Sequence, residues 1–348
     1  MATETLTTLA NGLRQNYGNE IVMSLVDSGG SHLKSIVPPN SAIGRLAVNN
    51  RIFFTGMGAD RGGRYAAQFP VYYSAGAAAS YAQGDAYPSA TNVSIAQALA
   101  NWARYWIPME MDGLAIHAAQ GNSVVGDLDS IALEFELKLK ALFSRIENDM
   151  VKAQSGNNLS GVKTWMTNTG NFEGLSLTNS WWQPALKDAA TNKVTRAMIR
   201  EVFAQLADQN ARPNEIWCSR TQYNLIAEVL GADIQYIEVA SVEGLIRTFT
   251  LDGVPVFAID SMEPSSNAVN NEIWFMNTDQ MSLHFLPQDT PQTDVELETM
   301  PGSFEGYPVG IKAIDPGHDA ESMIIKCYPQ LVCKNPSQFG AIFDLATS

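Results

Sequence analysis

Chemistry needs a nucleophile, a base or a ligand set at workable spacing, so histidines come first. The four here, His32, His117, His284 and His318, are scattered, with no HxxxH or HExxH pair to put two imidazoles on one helical face. The segment GMGADRGGR (56–64) has the glycine content of a phosphate loop. It lacks the Gly-Lys-Ser/Thr ending, and the YAAQFPVYY that follows is not a helix whose N-terminus would face a phosphate. Asp127 and Asp129 have oxygens suited to a cation, but two acids at a helix start complement the helix dipole without one. Trp165, Trp181 and Trp182 have the flat faces of a sugar site, and in a loop-rich stretch structural packing uses them equally well. Cys218, Cys327 and Cys333 form neither a CxxC pair nor an even framework, which fits a reducing cytosol and packed thiols. The expectation is therefore a non-enzyme with no catalytic residue, no cofactor and no metal site.

Composition points the same way. The chain has 348 residues, 45% hydrophobic and only 17% charged, enough apolar content for a sizeable core. Its polar surface is instead rich in uncharged side chains, which suits extensive protein–protein contact. The net charge of −14 makes it a poor candidate for wrapping nucleic acid by phosphate neutralisation. There is no basic, then apolar, N-terminal leader, and no stretch of about 18 apolar residues to span a bilayer.

The elements that would position such a surface can be read in order. Residues 1–50 are weakly patterned and broken by Asn11-Gly12, Gly29-Gly30 and Pro38-Pro39, which reads as an extended arm with one short helix at most. In 51–90, an apolar start (Ile52, Phe53, Phe54), a Gly-rich tip and a β-type run from Phe69 to Tyr73 predict a long hairpin. It has too few large apolar residues for a core of its own, so it should lie on a neighbour. Leu128, Ile131, Phe135, Leu139, Leu142, Ile146 and Met150 recur at the helical period and predict one rod from Asp127 to about Ala153, with Gly156 as its C′ glycine. Beyond the tryptophan-bearing loop, a helix is expected near Val194–Ala207. A strand at Glu215–Cys218 then runs into a Ser219/Gln222 capping box and a helix ending at Gly231. Asp252-Gly253 marks a tight hairpin. A long strand is expected from Ser322 to Val332. The fold class is α+β.

This series resembles the major capsid protein of tailed bacteriophages, the HK-ninety-seven type of shell fold. The resemblance rests on the arm, the hairpin, the long amphipathic helix, the segment TNKVTRAMIREVFAQLADQNARPNEIWCSRTQYNLIAEVLG, the strands GVPVFAIDSM and EIWFMNTDQMSLHFL, and the closing SMIIKCYPQLVCKNPSQFGAI. It implies an N-terminal arm (1–50), an E-loop (51–90), a peripheral or P domain (91–160 and 286–335) and an axial or A domain (161–285 and 336–348). Inter-subunit contacts are then expected at Phe54, Gly56, Arg61, Arg64, Phe69 and Tyr72.

The resemblance also implies hexamers and pentamers enclosing packaged double-stranded DNA in a virion, assembled in the bacterial cytoplasm. A portal, a scaffolding protein and a decoration protein are the further partners, with no membrane. Some relatives weld subunits through an E-loop lysine; residues 51–90 contain none, so a non-covalent shell is expected. With about 50 residues ahead of the E-loop, a fused scaffolding domain has no room, so a separate scaffold, or none, is expected. Two other readings stay open: an encapsulin-like compartment shell, and an enzyme or sugar-binding protein of another fold.

Overall fold

The computed structural model describes residues 40–54, 66–74, 94–112, 126–153, 156–231, 235–241, 244–264, 267–286, 309–314 and 320–347. Ser41 caps the first helix, α1 (Ala42–Val48), its hydroxyl accepting from the Gly44 amide at 2.8 Å. Strands β1 (Ile52–Phe54), β2 (Ala66–Ser74), β3 (Ser94–Asn101) and β4 (Tyr105–Asp112) follow. Helix α2 (Gly126–Val151) runs unbroken for 26 residues. A small hairpin, β5 (Asn171–Phe172) and β6 (Leu175–Ser176), and β7 (Ala185–Asp188) lead to α3 (Arg196–Asp208), capped by the Thr195 hydroxyl. Then come β8 (Glu215–Cys218), α4 (Arg220–Leu230), β9 (Gln235–Ser241), β10 (Gly244–Leu251), β11 (Val254–Ala258), β12 (Ile273–Met276) and β13 (Met281–Phe285). The chain closes with β14 (Val309–Ile314), β15 (Ala320–Cys327), β16 (Pro329–Cys333) and β17 (Gly340–Phe343).

Three assemblies organise these strands. A mixed seven-stranded sheet has the order β7-β17-β12-β8-β11-β10-β9. Its central strands are buried on both faces, which is why β8 and β12 read as near-continuous apolar runs. Ile216, Phe275 and Ile342 point to α3 and α4, whereas Trp217, Trp274 and Ala341 point to the main core. Asp252 and Gly253, both at positive φ, close the β10–β11 hairpin, as the Asp-Gly pair predicts. The second assembly is the sheet β14-β15-β4, against which α2 lies through Leu139, Leu142, Phe143, Ile146 and Met150. The third is the sheet β1-β13-β16, joined to α2 where Phe143 meets Phe285 edge-on at 6.4 Å between ring centres.

Several expectations need correction. The segment read as an arm ends in α1, whose Ile43 and Leu46 are fully buried, so residues 42–48 belong to the core. β1 does not pair with β2: it runs parallel to β13, with Phe54 opposite Phe285. The hairpin is instead made by β2 and β3, so its second strand lies beyond residue 90. The buried face of β3 is Ala98 and Ala100, and alanines on the core side hide its period-2 signal from a search for large apolar residues. β13, expected in the A domain, joins the sheet of β1 and β16. Helix α2 stops at Val151, five residues before Gly156, which does adopt positive φ. The long strand Ser322–Val332 is two strands in two sheets. Pro329, without an N–H, starts the second, and its carbonyl accepts from Ala103 instead.

Candidate functional site

The β2–β3 ribbon is where expected site residues and exposed apolar surface meet. Its register sets Tyr72 opposite Ile95 and Phe69 opposite Ala98. Directly opposed residues share a face, so the ribbon has two. One carries Phe69, Val71, Ala96, Ala98 and Ala100 and turns toward the chain's own core. The other carries Pro70, Tyr72, Ile95 and Leu99 and turns outward, with Tyr72 66% and Ile95 56% exposed. Neither strand contains a charged residue. The ribbon is anchored at both ends: near Ser74, Tyr73 stacks on Trp181 at 4.5 Å, and near Asn101 the Leu99 amide donates to the Glu173 carbonyl at 2.9 Å and the Gln330 amide donates to the Ala100 carbonyl.

Of the expected contact residues, Tyr72 faces out and Phe69 faces in. Phe54 sits in β1, away from the ribbon, and its side chain lies outside the described residues. Gly56, Arg61 and Arg64 also lie outside them. Ile95 and Leu99 are the residues that sequence reasoning passes over. The signal for them is the alternation in SIAQALAN, large or polar against alanine.

Helix α1, which leads into β1, is held by two buried carboxylates. Glu147, on α2, accepts the Ala42 and Ile43 amides at 2.6 and 2.9 Å and the Ser261 hydroxyl at 2.9 Å. Burial raises its pKa despite these donors. Glu215, on β8, takes Arg45 Nη2 at 2.5 Å, Asn49 at 2.7 Å and the Trp217 indole N–H at 2.7 Å. Arg45 also lies 3.7 Å over the Phe257 ring. The motif Asn-Glu-Ile-Trp occurs twice, at 214–217 and 271–274, on antiparallel neighbours that set Trp217 opposite Trp274. In the second copy Glu272 takes the Trp274 indole N–H at 2.7 Å and pairs with Lys163. Each glutamate thus fixes its tryptophan from the sheet and clamps one crossing segment. A second network ties β4 to α2: the Tyr105 hydroxyl donates to Asp149 at 2.8 Å and accepts from the Leu159 amide at 2.8 Å.

Among the described residues no group of three His, Cys, Asp or Glu could hold a metal ion. Asp127 and Asp129 lie in the first turn of α2, with side chains outside the described set. His284 shares a 2.9 Å hydrogen bond with Ser282 and contacts Phe53. All three cysteines are free and buried, and burial pushes their thiols up. Trp165 and Trp182 are fully buried, so they pack and offer no open face to a sugar.

A model of the SU10 major capsid protein family matches residues 117–346. The chain belongs to that family. It is a major capsid protein of tailed phages, and it assembles with copies of itself into the shell of the virion. Solved structures agree on the fold. The capsid asymmetric unit of cyanophage A-1(L) is similar with a TM-score of 0.65 at 15% identity, over 87% of this chain and 93% of that one. The Mycobacterium phage Adephagia structure gives 0.53 at 12% identity, over 92% and 96%. The holo-SrpI encapsulin of Synechococcus elongatus PCC 7942 gives 0.50 at 11%, over 74% and 79%. Such likenesses establish the HK-ninety-seven-like fold and leave encapsulin the weaker alternative. No curated protein matches the chain by sequence.

Proposed function

We propose that this SU10-family subunit builds an icosahedral shell of hexamers and pentamers in which the β2–β3 ribbon acts as the E-loop and lies on a neighbouring copy. The outward face of the ribbon carries the proposal. Pro70, Tyr72, Ile95 and Leu99 form an uncharged apolar strip on a two-stranded ribbon that is marginal without a partner. Arg61 and Arg64, ahead of β2 in the chain, add pairs with acids on that neighbour, each worth about 0–1 kcal/mol if exposed. The sheet β14-β15-β4 with α2 corresponds to the P domain, and the seven-stranded sheet with α3 and α4 to the A domain. The role is structural, without catalysis.

Purified subunit should give megadalton particles in negative stain. The double variant Tyr72→Glu/Ile95→Glu should stay soluble and lose them. Because no lysine lies between residues 51 and 90, boiled particles should run as one band near 37.9 kDa. Shells from the double variant at the parent yield would remove the ribbon from the interface.

The shell confines DNA and does not condense it. Residues 286–348 carry nine acids (Asp289, Asp294, Glu296, Glu298, Glu305, Asp315, Asp319, Glu321 and Asp344) against Lys312, Lys326 and Lys334. Affinity for duplex comes from cations at phosphates, and this chain has few to offer. Duplex retention on filters at physiological salt should be negligible; micromolar binding would contradict the proposal. A portal completes the particle, which assembles in the host cytoplasm with a separate scaffolding protein or with none. Packaged genomic DNA separates this reading from a compartment shell of the same fold.

A further inference from the structure

β9 is the outer strand of the seven-stranded sheet, and no strand among the described residues pairs with its far side. Gln235, Tyr236, Ile237 and Glu238 are exposed in succession. Leu245, opposite Ala240 on β10, is 71% exposed, more than any other large apolar side chain described. The opposite edge of the sheet is handled differently: β7 is four residues long and α3 lies against it. At β9 the cover is α1, which packs against the strand and whose Arg45 donates to the Ala240 carbonyl at 2.6 Å, while Gln235 to Glu238 stay exposed. The strand QYIEVAS has no lysine, no proline and no bulge in its register with β10. Such flat, apolar edges are what soluble proteins avoid, because they template pairing with another chain.

Charge indicates which chain. At −14, two copies of this protein repel each other over most of their surface. The β9–β10 edge is an exception. Among the described residues of β9 and β10, Glu238 and Arg247 are the only charged ones, they stand opposite each other, and the Arg247 guanidinium rests 4.6 Å from the centre of the Tyr236 ring. The edge is therefore neutral, apolar and already hydrogen-bond competent along its backbone. We propose that the free edge of β9, with Tyr236, Ile237 and Leu245, is a second self-contact of this chain, distinct from the ribbon, formed when a strand of another copy adds to the seven-stranded sheet. The inference rests on the shell reading above.

Backbone hydrogen exchange of free subunit and assembled particles tests it. The β9 amides from Tyr236 to Ala240 should exchange at least tenfold more slowly in particles. Leu245→Glu should leave the subunit's circular dichroism and melting unchanged and lower particle yield at least tenfold. Ile237→Thr, which keeps strand propensity, should give a smaller loss in the same direction. Equal β9 exchange in both states, or Leu245→Glu particles at parent yield, would overturn this contact and leave the shell reading intact. A parent subunit that forms no particles would overturn the shell reading, and this contact with it.

Discussion

Glu173→Gln is expected to raise the melting temperature of the unassembled subunit at pH 7, by up to about 4 °C, and to leave it unchanged near pH 4. Glu173 opens the two-residue turn between β5 and β6 at φ 51°, with Gly174 following at 82°. Its carbonyl holds the Leu99 amide of the ribbon, which fixes the turn under the Asn101 end of the ribbon. Both carboxylate oxygens are shielded from solvent, and among the described residues no donor meets either in hydrogen-bonding geometry. Desolvation raises the carboxyl pKa well above 4.5, with only a weak opposing pull from the Cys333 backbone.

The sign follows from linkage. A folded pKa above the unfolded value means that the native state holds a proton the unfolded chain releases. Stability is fully present below about pH 4.5 and is lost as pH rises through the folded pKa. At pH 7 that loss is at most about 3 kcal/mol, since each unit is worth about 1.4 kcal/mol. Glutamine keeps the shape and removes the titration. For a chain of this length, about 3 kcal/mol corresponds to roughly 4 °C. Glu147 titrates in the same direction in both proteins and cancels from the difference. A lower melting temperature for the variant at pH 7 would mean that the carboxylate has a partner that the geometry does not show.

What the sequence conveys is local. α2 was legible because its stripe repeats at 3.6 residues for seven turns, and the β8–α4 unit because Ser219 and Gly231 mark its ends. Ser219 forms half of the expected capping box, accepting from the Gln222 amide at 3.2 Å, while the Gln222 side chain donates to the Ala346 carbonyl. Partnership between strands is not local. Nothing within Ile52–Phe54 says that it pairs with residues 281–285 and not with the next apolar run. The buried glutamates are illegible one at a time, because an acid in a strand reads as a solvent-facing position. The repeated Asn-Glu-Ile-Trp was the available clue, since two identical tetrapeptides on adjacent strands place two acids in the same environment. The exposed face of the ribbon was half legible: Tyr72 follows from strand propensity, but its partner strand was masked by its alanines.

Leu139→Asp is expected to abolish soluble subunit, whereas Leu137→Asp, two residues away, should fold normally. Leu139 is fully buried at the centre of α2, between helix neighbours Leu142, Phe143 and Ile146 that are also buried. α2 lies against β4, and β4 pairs with β15 in register, Met109 opposite Met323 and Ile107 opposite Ile325. Helix and sheet therefore share one core, although β15 comes about 180 residues later in the chain. Removing a buried leucine side chain costs about 2–5 kcal/mol, and an unpaired buried charge adds about 3–5. Together these reach the whole stability of an ordinary domain, about 5–15 kcal/mol. Leu139 belongs to a cluster of buried apolar side chains, and Arg145 on the same helix is already paired with Asp149 at 3.0 Å, so the new carboxylate would enter apolar surroundings. Leu137 is 54% exposed on the opposite side of the same helix, so a charge there remains hydrated and helix propensity changes little. Solubility and melting of the two variants, measured side by side, separate a buried stripe from a general intolerance of acids in α2. Soluble, cooperatively melting Leu139→Asp subunit would show that the helix does not seat on this sheet.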